Sequence, residues 1–315
     1  KRFVRNELNQ VTDTIHYSAG ENVKTYSNIE SRFAMRYNIN AASSLKASYT
    51  KNFQYIHLAS LSSLSLPTDV WVPSSSVVKP QEGIQYALGY FRNFLKDQYE
   101  TSLEVYYKEM ENQIEYRDGA LPEDNVNDNA DNNFVFGKGH GYGAELFLKR
   151  NYGRWNGWVG YTLSWTKRQF DDLNFGKEFY AKYDRRHDVS VVFTYEFSRK
   201  WMFGLTWIYA TGNSVTIPVA RYFINGNIVY EYGERNGYRM IPYHRLDISA
   251  TLFVKKKKHW ESSWNFSVFN AYNRYNPYFI YFEDTGSASE GTLQLQAKQV
   301  SLFPILPSVT YNFKF

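Results

Sequence analysis

The last eight residues, 308–315, read SVTYNFKF. Four apolar or aromatic residues alternate there with four polar ones, the period-2 pattern of a β-strand with one apolar and one polar face. The apolar set comprises Val309, Tyr311, Phe313 and Phe315. This pattern predicts a transmembrane β-strand with lipid on its aromatic side and a hydrated lumen on the other. The edge strand of a soluble β-protein is the alternative that this stretch leaves open.

Aromatic content favours the membrane interpretation. Phe, Trp and Tyr make up 19% of the 315 residues, with 28 tyrosines, although the mean hydropathy is -0.53. A membrane barrel explains both values, because its strands need aromatic anchors at two interfaces while their lumen face stays polar. The sequence predicts no transmembrane helix and no signal peptide. We therefore expect an exported protein whose sequence is processed or is part of a longer chain.

Strand-like segments with the same alternation recur along the chain. Short turns, as at 41–44, 95–98 and 198–200, alternate with long polar connections. In outer-membrane barrels the short turns are periplasmic and the long loops extracellular. We therefore predict an all-β fold, an antiparallel transmembrane β-barrel meander of about eleven strands that occupies residues 1–315 as one domain.

The odd number of predicted strands bears on whether this chain forms a complete barrel. Bacterial single-chain barrels close with an even number of strands. We therefore expect an incomplete barrel. A small barrel of about twelve strands is the alternative.

Few residues indicate chemistry. Cysteine is absent and the six histidines show no i, i+2 or i, i+4 pairing, so we predict no metal site and no cofactor. Segment 124–133 is rich in Asp and Asn but lacks the spacing of a calcium loop. No nucleophile–base order appears, so we expect no enzyme activity. The basic run 255–258 fits a turn near lipid phosphates better than a nucleic-acid site.

Two features bear on ligand binding. The loops at 59–83, 118–138, 171–183 and 212–242 should form the extracellular mouth, and rings there can contact a ligand or pack the loops together. The predicted extracellular ligand contacts are Tyr222, Phe223, Tyr230 and Tyr232. Segment 184–188, DRRHD, mixes both charge signs and is interpreted as an ion-pair network, with a substrate contact as the alternative.

Several short motifs occur in a fixed order along the chain. They are SYTK (48–51) with QYIH (54–57), LPTD (66–69) with WVP (71–73), GYGAEL (141–146), GYTLS (160–164), YDRRHD (183–188), YATGN (209–213), YHRLD (243–247) and NAYNR (270–274). Together they resemble the carboxyl-terminal half of a TonB-dependent outer-membrane receptor. The resemblance implies a 22-stranded plugged barrel, which at roughly 29 residues per strand would need on the order of 630 residues, so this chain would supply its carboxyl-terminal half. The branch that it resembles carries an N-terminal carboxypeptidase-regulatory-like domain before its plug.

The resemblance implies a transporter that imports a scarce, bulky nutrient across the Gram-negative cell outer membrane. It implies outer-membrane lipid, the N-terminal plug and the missing half-barrel as partners, and the TonB complex through that missing part. Nothing near residue 1 resembles a TonB box. The barrel assembly machinery would recognise the terminal strand, and a surface lipoprotein could be a further partner. A receptor-like barrel that serves as a non-transporting structural subunit is the alternative function.

Overall fold

The computed structural model describes residues 2–5, 11–59, 69–118, 130–224, 227–257, 260–286, 292 and 294–315. The strands are β1 (Arg2–Arg5), β2 (Val11–Ile15), β3 (Arg32–Asn40), β4 (Ser43–Gln54), β5 (Ile56–Ala59), β6 (Val70–Pro73), β7 (Gln81–Phe94), β8 (Tyr99–Tyr116), β9 (Phe134–Arg150), β10 (Trp155–Phe170), β11 (Phe179–Tyr180), β12 (His187–Glu196), β13 (Trp201–Ala210), β14 (Ser214–Val215), β15 (Pro218–Ile224), β16 (Asn227–Tyr232), β17 (Tyr238–Arg239), β18 (Tyr243–Lys257), β19 (Trp260–Phe269), β20 (Pro277–Thr285), β21 (Gln294–Ser301) and β22 (Leu306–Lys314). Short 3-10 turns occupy Ala130–Asn133 and Asn174–Gly176. No helix in these ranges is long and apolar enough to cross a membrane.

One antiparallel sheet follows chain order and forms the wall. Its path runs β3-β4-β7-β8-β9-β10-β12-β13-β18-β19-β22, and β11 pairs with the end of β10. The connections alternate between short turns and long segments, and the long segments contain the hairpins β5–β6, β15–β16 and β20–β21. The predicted eleven-strand meander is therefore confirmed. Some wall strands begin earlier than predicted, with β7 at Gln81 rather than Ile84 and β9 at Phe134 rather than Gly141.

One face of the wall carries a continuous aromatic row and is called the outward face. Register places Phe33, Tyr49, Tyr86, Tyr107, Tyr142 and Trp165 side by side on six strands. Some neighbouring rings are in contact, with centroids 5.4 Å apart for Tyr49–Tyr86 and 5.2 Å apart for Tyr142–Trp165. Two residues farther toward the long connections, the same face carries Lys51, Glu109, His140 and Lys167. This change from rings to charges is typical of a membrane–water interface.

A second set of rings lies near the short turns. Phe94 and Tyr99 stack there with centroids 5.4 Å apart. On β8, about nine residues run from Tyr99 to Tyr107, which is the length that a tilted strand needs to cross a bilayer. Between them Leu103 and Val105 are exposed on the outward face. The rest of β8 extends beyond this apolar band toward the long connections.

A β-bulge in β8 reverses the faces of this extension. The register with β9 shifts between Met110 and Gln113, and Asn112 takes a positive φ of 54°. The Asn112 Nδ2 donates a hydrogen bond to the Pro80 carbonyl oxygen at 3.0 Å. An extra residue moves every following side chain to the other face. Glu115, which strict alternation would place outward with Tyr107, therefore faces inward.

The buried core lies at the long-connection end of the sheet, which is called the mouth. One cluster joins hairpin β5–β6 to the strand extensions through Ala59, Val72, Val78, Ile114, Tyr116 and Phe134. A second cluster contains Val135, Phe170, Leu173 and Phe179. Adjacent residues of β9, Phe134 and Val135, belong to different clusters, because alternate side chains point to opposite faces of a strand. Hairpin β5–β6 and the segment that contains Leu173 and Phe179 are therefore packed against the wall.

Candidate ligand-binding site at the mouth

Two adjoining cavities lie at the mouth. The larger, about 900 Å³, is lined by the end of β8 together with residues of segments 171–175, 214–216, 232–240 and 278–280. The smaller, about 570 Å³, is lined by polar side chains that include Asn52, Gln85 and Gln113. Both have the size of small-molecule sites. Glu115 and Lys182 line both cavities and therefore lie between them.

Glu115 is the centre of a buried ion-pair network. Its carboxylate lies 3.1 Å from Arg168 Nη1, 3.7 Å from Lys182 Nζ and 3.6 Å from Arg235 Nη2. Arg235 also pairs with Asp118 at 2.9 Å. Burial lowers the pKa of Lys182, and the neighbouring Glu115 carboxylate partly offsets this effect. The network joins β8 and β10 to two long connections and gives the partition between the cavities a fixed geometry.

Asp184 anchors a second ion-pair network, in segment 184–188. Its side chain is fully buried and accepts hydrogen bonds from Arg239 Nη2 at 2.6 Å and from the Thr166 backbone N–H at 2.7 Å. Arg186 lies 3.6 Å from the same carboxylate. The prediction of an ion-pair network in this segment is confirmed. The burial of Asp184 leaves a ligand no access to its carboxylate.

The four rings predicted as ligand contacts lie on hairpin β15–β16. The Tyr222 hydroxyl donates to Glu231 and the Tyr230 hydroxyl donates to Asp284 of β20, and these hydrogen bonds raise the pKa of both tyrosines. Tyr232 is 60% exposed and lines the larger cavity. Phe223 pairs through its backbone with Ile228, and its side chain lies outside the described residues. Tyr222 and Tyr230 therefore stabilise the hairpin, and a ligand role for all four stays a prediction.

Phe175 also lines the larger cavity and was not singled out in the sequence. Its side chain is 98% exposed, and its φ of 58° lies between positive values at Asn174 and Gly176. The segment is nevertheless anchored, because Leu173 is buried and Gln169 Nε2 donates to the Gly176 carbonyl oxygen at 2.9 Å. A bulky residue in this backbone region is strained, and such strain tends to occur at functional sites. The only sequence signal was the turn-forming Asn and Gly on either side.

Several histidines have local partners. His57 Nε2 lies 3.0 Å from Ser74 Oγ, His187 Nδ1 lies 2.9 Å from the Tyr161 hydroxyl, and His244 Nδ1 lies 2.7 Å from the Tyr272 hydroxyl. His140 is 3.8 Å from the Glu178 carboxylate. Within the described ranges, no group of three or more metal-ligating side chains is placed to hold an ion. The acidic segment 124–133 lies mostly outside those ranges.

The predicted assembly signal forms the last wall strand. Val309, Tyr311, Phe313 and Phe315 are exposed on the outward face of the sheet. The Tyr311 ring lies 4.8 Å from that of Trp264 on β19. Within the described residues β22 pairs with β19 alone, and β3 at the other end of the sheet pairs with β4 alone. Recognition of this strand by the assembly machinery stays a prediction.

Solved structures with a similar fold include receptors and transporters. The ferripyoverdine receptor of the outer membrane of Pseudomonas aeruginosa, bound to ferripyoverdine, has a TM-score of 0.53 at 17% identity, covering 91% of this chain and 32% of that one. The ferric yersiniabactin uptake receptor FyuA from Yersinia pestis has a TM-score of 0.54 at 13% identity, covering 90% and 36%. The copper transporter OprC has a TM-score of 0.54 at 13% identity, covering 90% and 39%. At these identities the likeness shows the fold, and the chain spans about a third of the length of these structures.

The family assignment rests on a match between this sequence and a protein-family model. No curated protein sequence matches the chain. The model described as TonB dependent receptor-like, beta-barrel matches residues 4–273, which include every wall strand from β3 to β19. The predicted family and its outer-membrane location are confirmed, whereas the branch with the extra N-terminal domain stays a prediction. The chain belongs to the TonB-dependent receptor-like β-barrel family, which is a family of receptors and transporters and not a class of enzymes.

Proposed function

We propose that the chain forms the carboxyl-terminal half of the barrel wall, and the extracellular mouth, of a TonB-dependent transporter that imports a scarce, bulky nutrient. The observation that carries the proposal is the larger cavity, about 900 Å³, with the exposed rings of Phe175 and Tyr232 at its lining. Such rings stack on flat or cyclic groups. One structural neighbour is a receptor bound to ferripyoverdine, and another is an uptake receptor for ferric yersiniabactin, which supports a ligand-importing role.

Each wall strand would cross the outer membrane once in this proposal, giving a multi-pass barrel. The support is the outward face of β8, where Tyr99 and Tyr107 bound an apolar stretch of crossing length and Glu109 follows. The short turns would then be periplasmic. The mouth would face the cell exterior, where a surface lipoprotein could cover it.

The lumen would be filled by a plug supplied from outside this chain. Glu104 and Glu145 are directly opposite each other on the inner face of β8 and β9. Like charges in that arrangement destabilise a sheet, and neither carboxylate forms an ion pair with a described residue. A cationic segment of the missing plug would relieve this repulsion. The TonB complex would act through that missing part, and the assembly machinery would recognise β22.

Uptake by intact cells tests the proposed function. Cells that produce the full-length receptor would be given labelled ferric chelates and labelled oligosaccharides, with and without a functional TonB complex. Accumulation of a bound compound that requires TonB is the expected result. A compound that binds to the receptor but accumulates equally in both strains would favour the structural-subunit alternative.

A further inference from the structure

Two arginines interrupt the apolar outward face near the short turns. On β7 to β10, the outward side chains between these turns and the aromatic row are uncharged except Arg92 and Arg150. Neither guanidinium has a carboxylate within 4 Å among the described residues. Arginines on a lipid-facing surface are destabilising near the bilayer midplane and tolerated at the headgroup level. These two residues are therefore placed where lipid headgroups can contact them.

The two arginines lie on either side of β8. Register places Arg92 of β7 opposite Thr101, and Arg150 of β9 opposite Tyr99. Strands are about 4.8 Å apart and residues about 3.4 Å along a strand, so the two Cα atoms are separated by roughly 12 Å. One lipid headgroup that lies over β8 can therefore contact both side chains.

Aromatic rings orient the Arg150 guanidinium. Its centre lies 3.6 Å from the Trp155 ring centroid and 5.6 Å from that of Tyr99. The Arg150 Nε donates to the Tyr152 carbonyl oxygen at 3.2 Å. Among the described residues, the hydrogen bond of this side chain uses Nε. The two terminal nitrogens, Nη1 and Nη2, can therefore donate to a ligand. The same rings mark the headgroup level, since Trp and Tyr concentrate at membrane interfaces.

We propose that Arg92 and Arg150, together with the rings of Tyr99 and Trp155, form a site for the phosphate of an anionic phospholipid in the leaflet at the short-turn end of the barrel. A planar guanidinium binds phosphate oxygens through two parallel hydrogen bonds, which is the geometry that terminal nitrogens supply. Basic residues close to a membrane surface select anionic headgroups. The site is independent of the imported nutrient.

Lipid retention by the full-length receptor tests the site. The receptor is purified in detergent with equimolar phosphatidylglycerol and phosphatidylcholine, and bound lipids are counted by native mass spectrometry. We expect preferential retention of phosphatidylglycerol. The double variant Arg92→Gln/Arg150→Gln should lower it about thirtyfold, since each basic residue near an anionic surface contributes roughly fivefold. Arg199→Gln removes a charge within a short turn away from these rings, so its loss of retention should be much smaller than that of the double variant.

Three outcomes would overturn the site: unchanged retention in the double variant, an equal loss in Arg199→Gln, or equal retention of the two lipids by the unmodified receptor. Heat-modifiable gel migration shows whether each variant is a folded barrel. If the double variant does not fold, the single variants Arg92→Gln and Arg150→Gln decide the question, each with an expected loss of about fivefold. Arg150→Lys keeps the charge and loses the bidentate geometry, so its retention should lie between those of the unmodified receptor and Arg150→Gln.

Discussion

Glu115 of β8 and Arg235, in the connection between β16 and β17, lie 3.6 Å apart at the mouth. The contact joins two parts of the chain that are far apart in sequence, and Arg168 and Lys182 bind the same carboxylate. Four charged side chains thus fix the position of two long connections relative to the wall. The partition between the two cavities depends on this arrangement.

Removing the shared carboxylate should loosen the mouth. Glu115→Gln leaves three partly buried cations without their common partner, and breaking a buried ion pair destabilises by roughly 3 kcal/mol. We expect faster amide hydrogen exchange in segments 171–183 and 232–240, measured by mass spectrometry. Glu109→Gln is the control, because Glu109 is exposed on the outward face of the same strand. Unchanged exchange in Glu115→Gln would show that the network does not hold the loops.

Hairpin β5–β6 should detach as the pH falls. His57 is 1% exposed, its one described hydrogen bond is to Ser74, and burial lowers its pKa from 6.5. Because the pKa of His57 is lower in the folded state, the unfolded chain binds the proton more readily. The contribution of neutral His57 to folding stability is therefore fully present above pH 6.5 and is lost as the pH falls toward the folded-state pKa. Segments 56–59 and 70–73 should therefore exchange faster, relative to intrinsic rates, at about pH 5 than at about pH 7.5.

His57→Phe provides the matched control for this pH dependence. A phenyl ring fills the buried position without a titrating group, so the relative protection of the hairpin should be the same at both pH values. An equal pH response in this variant would assign the effect to another residue.

The bulge in β8 should depend on the left-handed backbone at Asn112. A β-branched residue there is strained, so Asn112→Val should destabilise the extension of β8 by about 1–2 kcal/mol. Asn112→Gly keeps the backbone conformation and loses the hydrogen bond to Pro80, and it should have a smaller effect. Thermal unfolding in detergent, monitored by tryptophan fluorescence, ranks the stability of the two variants and the unmodified protein. An Asn112→Val protein as stable as the unmodified one would contradict the role of the bulge.

The wall was predictable from sequence because one face of each strand meets lipid and the other meets water. That contrast produces the alternation seen from Val309 to Phe315. The turns and the long connections are the parts of the chain where the alternation stops. The strand ends were harder to predict, because β9 continues past the lipid-facing band into a part of the mouth where loops cover both faces. There Phe134 and Val135 are both buried, and the alternation disappears.

The site was less predictable, because its geometry depends on single backbone angles and distant partners. Strict alternation places Glu115 outward, and only the positive φ at Asn112 turns it inward. The hydroxyl of Tyr230 donates a hydrogen bond to Asp284, which lies on another hairpin. No local sequence pattern indicates this contact. The exposure of Phe175 likewise follows from an anchored, strained turn and not from residue type.

Uptake by variants that lack aromatic rings at the mouth tests whether the larger cavity is the nutrient site. In cells that produce the full-length receptor, the double variant Phe175→Ala/Tyr232→Ala should lower TonB-dependent uptake of the bound nutrient at least tenfold, since each stacking ring contributes about 1 kcal/mol. Tyr275→Ala, which removes an exposed ring that does not line the larger cavity, should leave uptake unchanged. Equal uptake by the double variant and the unmodified receptor, at equal amounts of folded barrel, would contradict the assignment of this cavity as the nutrient site.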